Sequence, residues 1–467
     1  MTSASPMAAR TRRHTLLRVG LPLLVMAVPV GLYYWLVASY GVNVPDGDTW
    51  NGTLPLLADF SGGHLTLAEL WAPHNENRLL VPNTILILLD SATHMNQVVD
   101  LLVSATMLVA GVIILCWLAA RTLRLSPAWV APLPFVLLSF VQTENALNAI
   151  QLSWTVIILL TAVALAVLEV AERRWILFAA AALAAALASF SSLQGLLVWP
   201  VGLVYGTAAG WRRSQAVVWV VLAAGAAVLY AHDFGPVVPS APPGEVFRHP
   251  LVSVEFFLLL VGAPFAFHRP VMGAVMLCVL VATVLAAVRA EPWRRFRVPG
   301  ALVLLALLFD GLVTVGRVGM GTGEAASPRY TSYNLMLLAG TYLLAVAAAR
   351  SRLSGRRPSW SWGGDSLRAL PLATCALLAV CQLGLGLNAG LRQAQGMSAS
   401  LRQGAALLRD YRDASTAQLA ADLFQPSGDY VKQWAPVLEA HRWSVFSTPA
   451  APEAASGSYL SYIVDSR

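Results

Sequence analysis

The chain has 467 residues, of which 57% are hydrophobic and only 12% charged, with a formal net charge of +7. Soluble domains carry about 25% charged residues, so this composition excludes two or three water-soluble domains and points to one large helical bundle in lipid. The positive balance is no nucleic-acid signal, because the basic residues stand in short arginine clusters between apolar runs, the pattern of cytoplasmic loops.

Residues 1–18 are basic, with Arg10, Arg12 and Arg13 ahead of an apolar run over 19–39. That run is longer than a signal-peptide core and no small-residue cleavage site follows, so it reads as a retained first membrane helix with its N-terminus inside. Counting against the arginine clusters then gives a long outer loop over 40–97 and helices over 98–120, 128–141, 152–170, 175–190, 195–209 and 216–230. A Pro-rich outer segment occupies 232–250. Both 251–267 and 271–288 are long enough to cross, but if both did, Arg294, Arg295 and Arg297 would fall outside. The first is therefore expected to be a re-entrant or interfacial helix, broken by Pro264 and Pro270, that lines a cavity. Helices over 299–315, 331–349 and 370–387 complete the count.

The expected fold is all-α: a polytopic membrane helical bundle of about 11 transmembrane helices plus the re-entrant helix, C-terminus outside, in the inner (plasma) membrane. Its parts are a cytoplasmic N-terminus 1–18, a transmembrane region 19–389 with the extracytoplasmic loop 40–97, and a small extracytoplasmic helical tail 390–467. Cys116, Cys278, Cys375 and Cys381 all lie in apolar runs and read as packing residues.

Sorting polar residues by side shows an asymmetry. Inner loops hold little beyond arginine; outer loops hold carboxylates, amides and histidines. The first outer loop opens Pro45-Asp46-Gly47-Asp48-Thr49-Trp50 directly after a membrane helix. Two carboxylates two residues apart can hold different protonation states, and desolvation at the membrane boundary suits one of them to general-base work. An Asx-turn that merely ends a helix fits the same residues. Further on stands His74-Asn75-Glu76-Asn77-Arg78. Asp48, His74 and Glu76 could bind a divalent cation, or position hydroxyls while Arg78 holds a phosphate; a hydrated loop is the plain alternative. Gln142, Glu144, Asn145, Asn148, Gln151, Gln194, His232 and Asp233 share this side, each more in keeping with solvation or bridging than with catalysis.

Asp310 sits near mid-bilayer and should face the bundle or a cavity, with Arg317 two turns on and on the same helix face. The glycines of Gly316-Arg317-Val318-Gly319-Met320-Gly321 follow a membrane helix and no strand, which rules out a nucleotide-binding loop. Ser327-Pro328-Arg329-Tyr330 instead brings Arg329 to the membrane surface, where it suits a lipid phosphate or, more plainly, anchors the interface beside Tyr330 and Tyr333.

The long first outer loop with acids right after helix one resembles the GT-C class of integral-membrane glycosyltransferases, among them protein O-mannosyltransferases and lipid A aminoarabinose transferases. The DGDTW, HNENR, SSLQGLLVWPVG and SPRY elements look like a group of bacterial multi-pass proteins with that topology. The resemblance covers roughly 15–390 and not the tail. It implies a polyprenyl-phosphate sugar donor, a cell-envelope glycan, lipid or protein acceptor, and no cofactor. It places an acceptor-activating acid at Asp48, with Asp46 second, and a donor-phosphate arginine at Arg329, with Arg317 second. His74, Glu76, Arg78 and Gln151 are substrate-binding candidates on their own chemistry, since HNENR has no counterpart in the well-studied members. The sequence departs from the class by lacking a large folded C-terminal domain and an acidic dyad. A transporter or flippase of lipid-linked glycans is the alternative, and Asp310 is its main support.

Overall fold

The computed structural model describes residues 19–171, 174–233, 244–290, 292–353 and 366–447. The basic 1–18 segment, Arg173, Arg356, Arg357, the middle of the Pro-rich segment and the end of the tail lie outside the described residues.

The chain is a helical bundle. Its first helix, α1 (Leu21–Tyr40), is followed by short helices and a two-residue hairpin, β1 (Pro73–His74) against β2 (Asn77–Arg78). Next come α2 (Leu80–Thr93) and α3 (Gln97–Leu123). Asn96 starts α3 by accepting from the Val98 amide at 3.1 Å, and Arg124 ends it in the left-handed region. The run 127–147 is not one smooth helix; it breaks at Pro132 and again after Leu137 into short pieces. Beyond it lie α4 (Leu152–Ala171), α5 (Trp175–Ser189), α6 (Val198–Ala208) and α7 (Arg213–Ala231). The rest comprises α8 (Pro250–Val261), α9 (Arg269–Ala290), α10 (Arg297–Arg317), α11 (Thr331–Leu353), α12 (Ser366–Arg409), α13 (Thr416–Asp422) and α14 (Gly428–His441).

Among the described residues, nine segments are long and apolar enough to cross a bilayer. Shorter apolar helices, α5, α6 and α8 among them, accompany these. The protein is a multi-pass membrane protein. α8 has 12 residues, about 18 Å of helix, which is short of the ~30 Å hydrocarbon core. It turns back on α9 so tightly that a Cβ on Gly273 would lie 2.1 Å from the Leu258 carbonyl oxygen, which only glycine permits. The kink spans 262–268, around Pro264, as its sequence suggested.

α12 differs most from its expected shape. It runs unbroken for 44 residues, about 66 Å, so it crosses the membrane and continues outward past the expected boundary at 389/390. Its outer half, with α13 and α14, forms a second apolar core together with the first outer loop. Trp50, Leu54 and Leu57 from the loop meet Leu408, Leu419, Leu423 and Leu438 from the tail, all fully buried. Burying each such side chain contributes about 1.5–3 kcal/mol, enough to make loop and tail one body.

Candidate active site

The DGDTW stretch folds into a tight turn held from within and from the tail. Gly47 has φ of +48°, a left-handed conformation that glycine adopts without strain. The Thr49 amide donates to the Asp46 carbonyl at 3.0 Å, and the Trp50 indole N–H donates to the Pro45 carbonyl at 2.9 Å. From the tail, Gln425 Nε2 donates to the Gly47 carbonyl at 2.6 Å, while the Gly47 amide donates to the Leu423 carbonyl at 3.3 Å. Tyr430 adds a bond from its hydroxyl to the Trp50 carbonyl at 3.3 Å. The tail, which lies outside the span of the resemblance, is thus what holds the turn.

The turn gives its two carboxyls opposite environments. Asp46 is 4% exposed, and burial, reinforced by the nearby charges of Glu144 and Asp48, pushes its carboxyl up to about 8. Asp48 has a half-exposed side chain and faces His74, with Nε2 3.8 Å from its Oδ2. The His74 imidazole, helped by the Arg329 and Arg317 charges, holds the Asp48 carboxyl below the usual carboxylate range despite some desolvation. Near neutral pH, Asp46 therefore keeps its proton while Asp48 is an ionised base. Splitting two acids in this way is how one site separates their roles.

The HNENR stretch forms the β1–β2 hairpin, with Asn75 at the left-handed tip. Arg78, assigned to substrate from sequence, lies at its base. It is 1% exposed, stacks over Trp71 at 4.8 Å, and donates to the carbonyls of Tyr230 (2.7 Å), Trp71 (2.6 Å) and His232. All three are backbone oxygens, so its fork ties the hairpin to the end of α7. Asn77 ties the other side, its Oδ1 accepting from the Ser192 hydroxyl at 2.6 Å and the Leu193 amide at 3.1 Å. Thus anchored, the hairpin presents His74, Asn75 and Glu76 to a cavity.

Two arginines line the same cavity. Arg317, at the end of α10, is paired with Glu76. Arg329 is paired with Glu324, lies 3.6 Å from Glu144 and stacks over Tyr330 at 5.2 Å. Glu144 also accepts from the Arg329 amide at 3.2 Å and the Ser327 hydroxyl at 2.9 Å, while Asn145 donates to the Arg329 carbonyl at 2.8 Å. The QTEN residues therefore fix the SPRY turn. Nothing in their own spacing announces this, since the contact joins positions more than 180 residues apart.

The cavity has a volume of about 560 Å³. It brings together Asp48, His74, Glu76, Gln151, Arg317 and Arg329 from the sequence-based site; Asp46 and Arg78 are not among its lining residues. Trp154, Phe309 and Tyr330 form an aromatic wall, with Trp154 edge-on to Phe309 at 5.5 Å. Asp310 does not line it either. It is fully buried and accepts from Asn334 Nδ2 at 2.9 Å, so it pairs α10 with α11. Among the described residues, no three His, Cys, Asp or Glu side chains gather as metal ligands would: Asp48 faces His74, but Glu76 faces Arg317.

No protein family matches the chain, and no curated protein does. Two solved structures are similar. One is ArnT from Cupriavidus metallidurans bound to undecaprenyl phosphate, at 14% identity and TM-score 0.47, covering 91% of this chain and 89% of that one. The other is the Archaeoglobus fulgidus oligosaccharyltransferase tethered to an acceptor peptide containing the NVT sequon, at 11% identity and TM-score 0.46, covering 89% of this chain and 59% of that one. Each is a distant likeness of overall layout, and neither brings a residue role to this chain.

Proposed function

We propose that the protein is a glycosyltransferase of the plasma (inner) membrane. It would move a sugar from a polyprenyl-phosphate donor to a hydroxyl of a cell-envelope acceptor on the extracytoplasmic face. The observation that carries this reading is the cavity itself. An ionised, half-exposed carboxylate and two carboxylate-paired arginines line one cavity. Its volume of about 560 Å³ fits a sugar phosphate.

The chemistry follows from the charges. Asp48 takes the proton of the acceptor hydroxyl as its oxygen attacks the anomeric carbon, and the bond to the lipid phosphate breaks. A single displacement of this kind inverts the anomeric centre. Arg317 and Arg329 stabilise the charge that grows on the departing phosphate, and each exchanges its resident carboxylate for phosphate oxygens as the donor enters. The exposed end of the chemistry is therefore the acceptor side, and the lipid phosphate belongs beside the membrane-borne arginines. A divalent cation, if used, would have to join Asp48 and His74 with donors from the substrate.

The test is a paired profile of cell-envelope glycans and polyprenyl-phosphate sugars by mass spectrometry, in cells expressing wild type, Asp48→Asn or Arg329→Ala. The expected result is loss of one glycan and build-up of its lipid donor in both variants at normal protein levels. Unchanged glycans in both, with a change in Asp310→Asn, would overturn the reading in favour of transport.

A further inference from the structure

Two amides on the cavity wall stand out because each is buried and each has one end without a hydrogen-bond partner. Gln151 is 7% exposed and its Oε1 has none; Gln194 is 5% exposed and its Nε2 has none. The other end of Gln194 is fixed, since it lies 2.8 Å from the Ser192 hydroxyl oxygen, whose proton goes to Asn77. Ser192 is itself bonded to Asn77 at the base of the hairpin, so this amide is positioned by the same contacts that position His74 and Glu76. Both residues line the cavity that Asp48, Arg317 and Arg329 share.

Leaving a buried polar atom unpaired costs about 1–3 kcal/mol, and so such an atom in a folded protein calls for an explanation. Packing does not supply one here, because a leucine would fill either position without the penalty. Neither end is charged, so an additional phosphate or carboxylate is not what the pair is built for. An unsatisfied amide end, acceptor or donor, matches a hydroxyl, which gives one O–H and two lone pairs. Rotation about the terminal amide torsion, which is soft, turns either end toward the cavity. Interchanging O and N in either amide still leaves one unmatched atom, so the match does not hinge on that assignment.

We infer that Gln151 and Gln194 read the hydroxyls of the glycosyl unit held in the cavity, and that this unit is a neutral, hydroxylated sugar. The inference rests on the transferase reading and deepens it. The arginines hold the phosphate common to all such donors, and the two glutamines decide which sugar the phosphate carries. A site that hydrogen-bonds a hydroxyl discriminates steeply against an analogue lacking it, because the protein atom is then stranded.

The experiment uses the purified full-length chain in vesicles of phosphatidylethanolamine and phosphatidylglycerol. Binding of bare polyprenyl phosphate is compared with binding of polyprenyl-phosphate glucose, mannose and their monodeoxy forms. Wild type should bind at least one sugar-bearing lipid tenfold or more tightly than the bare lipid, and should lose that margin with one of its deoxy forms. Gln151→Leu and Gln194→Leu should erase the margin while leaving bare-lipid binding unchanged, which also shows that the variants fold. Margins in the variants equal to wild type overturn the inference, as does a wild type that binds bare and sugar-bearing lipids alike. If bare polyprenyl phosphate binds wild type no better than it binds Arg329→Ala, the transferase reading falls with it; in the preceding outcomes that reading survives.

Discussion

The two ends of the bundle use the same residue types in different ways. At one end, Arg297 of α10 grips Glu169 of α4 through two bonds of 2.6 and 2.8 Å, and the Tyr205 hydroxyl donates to the same carboxylate at 2.6 Å. At the other end of α10, Arg317 meets Glu76 and, nearby, Arg329 meets Glu324, but these pairs line a cavity of about 560 Å³ with Asp48 facing them. The first cluster joins three helices and is closed. The second leaves room for a ligand that can replace a carboxylate. An arginine–glutamate pair in a membrane bundle is thus no functional signal by itself; the space beside it is.

Substitutions can break or sharpen that contrast. The largest expected effect is at Asp48: replacing it with Asn should lower transfer by roughly 10²–10⁴, the range for removing a general base. Glu169→Gln, read in the same turnover assay, should leave the rate within about twofold. Next comes Arg329→Ala, expected to lose roughly 10²–10³ in turnover through lost stabilisation of the leaving phosphate. Arg329→Lys should recover part of this, because it restores the charge without the planar fork. For Glu169→Gln the loss belongs to stability, roughly 1.5–3 kcal/mol for the charged hydrogen bonds, seen as earlier thermal unfolding in detergent.

The carboxyl pair in the DGDTW turn offers a pH test of the same contrast. Because His74 first, then Arg329 and Arg317, hold Asp48 below the ordinary carboxylate range, transfer should persist as pH falls to about 4, near the unperturbed Asp value. His74→Ala removes the leading cause, so the acid limb of the rate profile should move to higher pH. Asp46 behaves in the opposite sense. Its carboxyl lies at about 8 when folded, against about 3.9 in the unfolded chain. The native form therefore binds the proton more tightly, and this contribution to stability is present at low pH and declines as pH rises from about 4 to 8. Asp46→Asn should thus keep transfer near wild type at pH 7 and raise the unfolding temperature by about 2 °C or more at pH 8. A collapse of transfer in Asp46→Asn would instead assign the base to Asp46.

The smallest effect concerns the tail. Gln425→Ala removes the 2.6 Å bond to the Gly47 carbonyl. A net hydrogen bond is worth about 0.5–1.5 kcal/mol, so turnover should drop about twofold to tenfold, with the acid limb shifting as the Asp48–His74 contact loosens.

Sequence alone determined the lipid-embedded fold. Hydropathy is local and additive, so a multi-pass helical bundle follows from it without any knowledge of packing. It also singled out the polar stretches that face outside, because a charge near the membrane must have a reason to be there. Tertiary structure alone decided what those stretches do. Arg78 and Arg317 are both arginines at helix or hairpin ends, yet one is spent on three backbone carbonyls and the other lines a cavity. Asp46 and Asp48 are two residues apart in an acidic turn, yet one is sealed under the tail and the other is half exposed beside His74. Convergence of positions 48, 76, 151, 317 and 329 on one cavity depends on how helices far apart in sequence pack, and so does the grip of Leu423 and Gln425 on Gly47. Partition into lipid is a property of each segment, whereas burial, pairing and protonation are properties of neighbours, and only the folded chain supplies those.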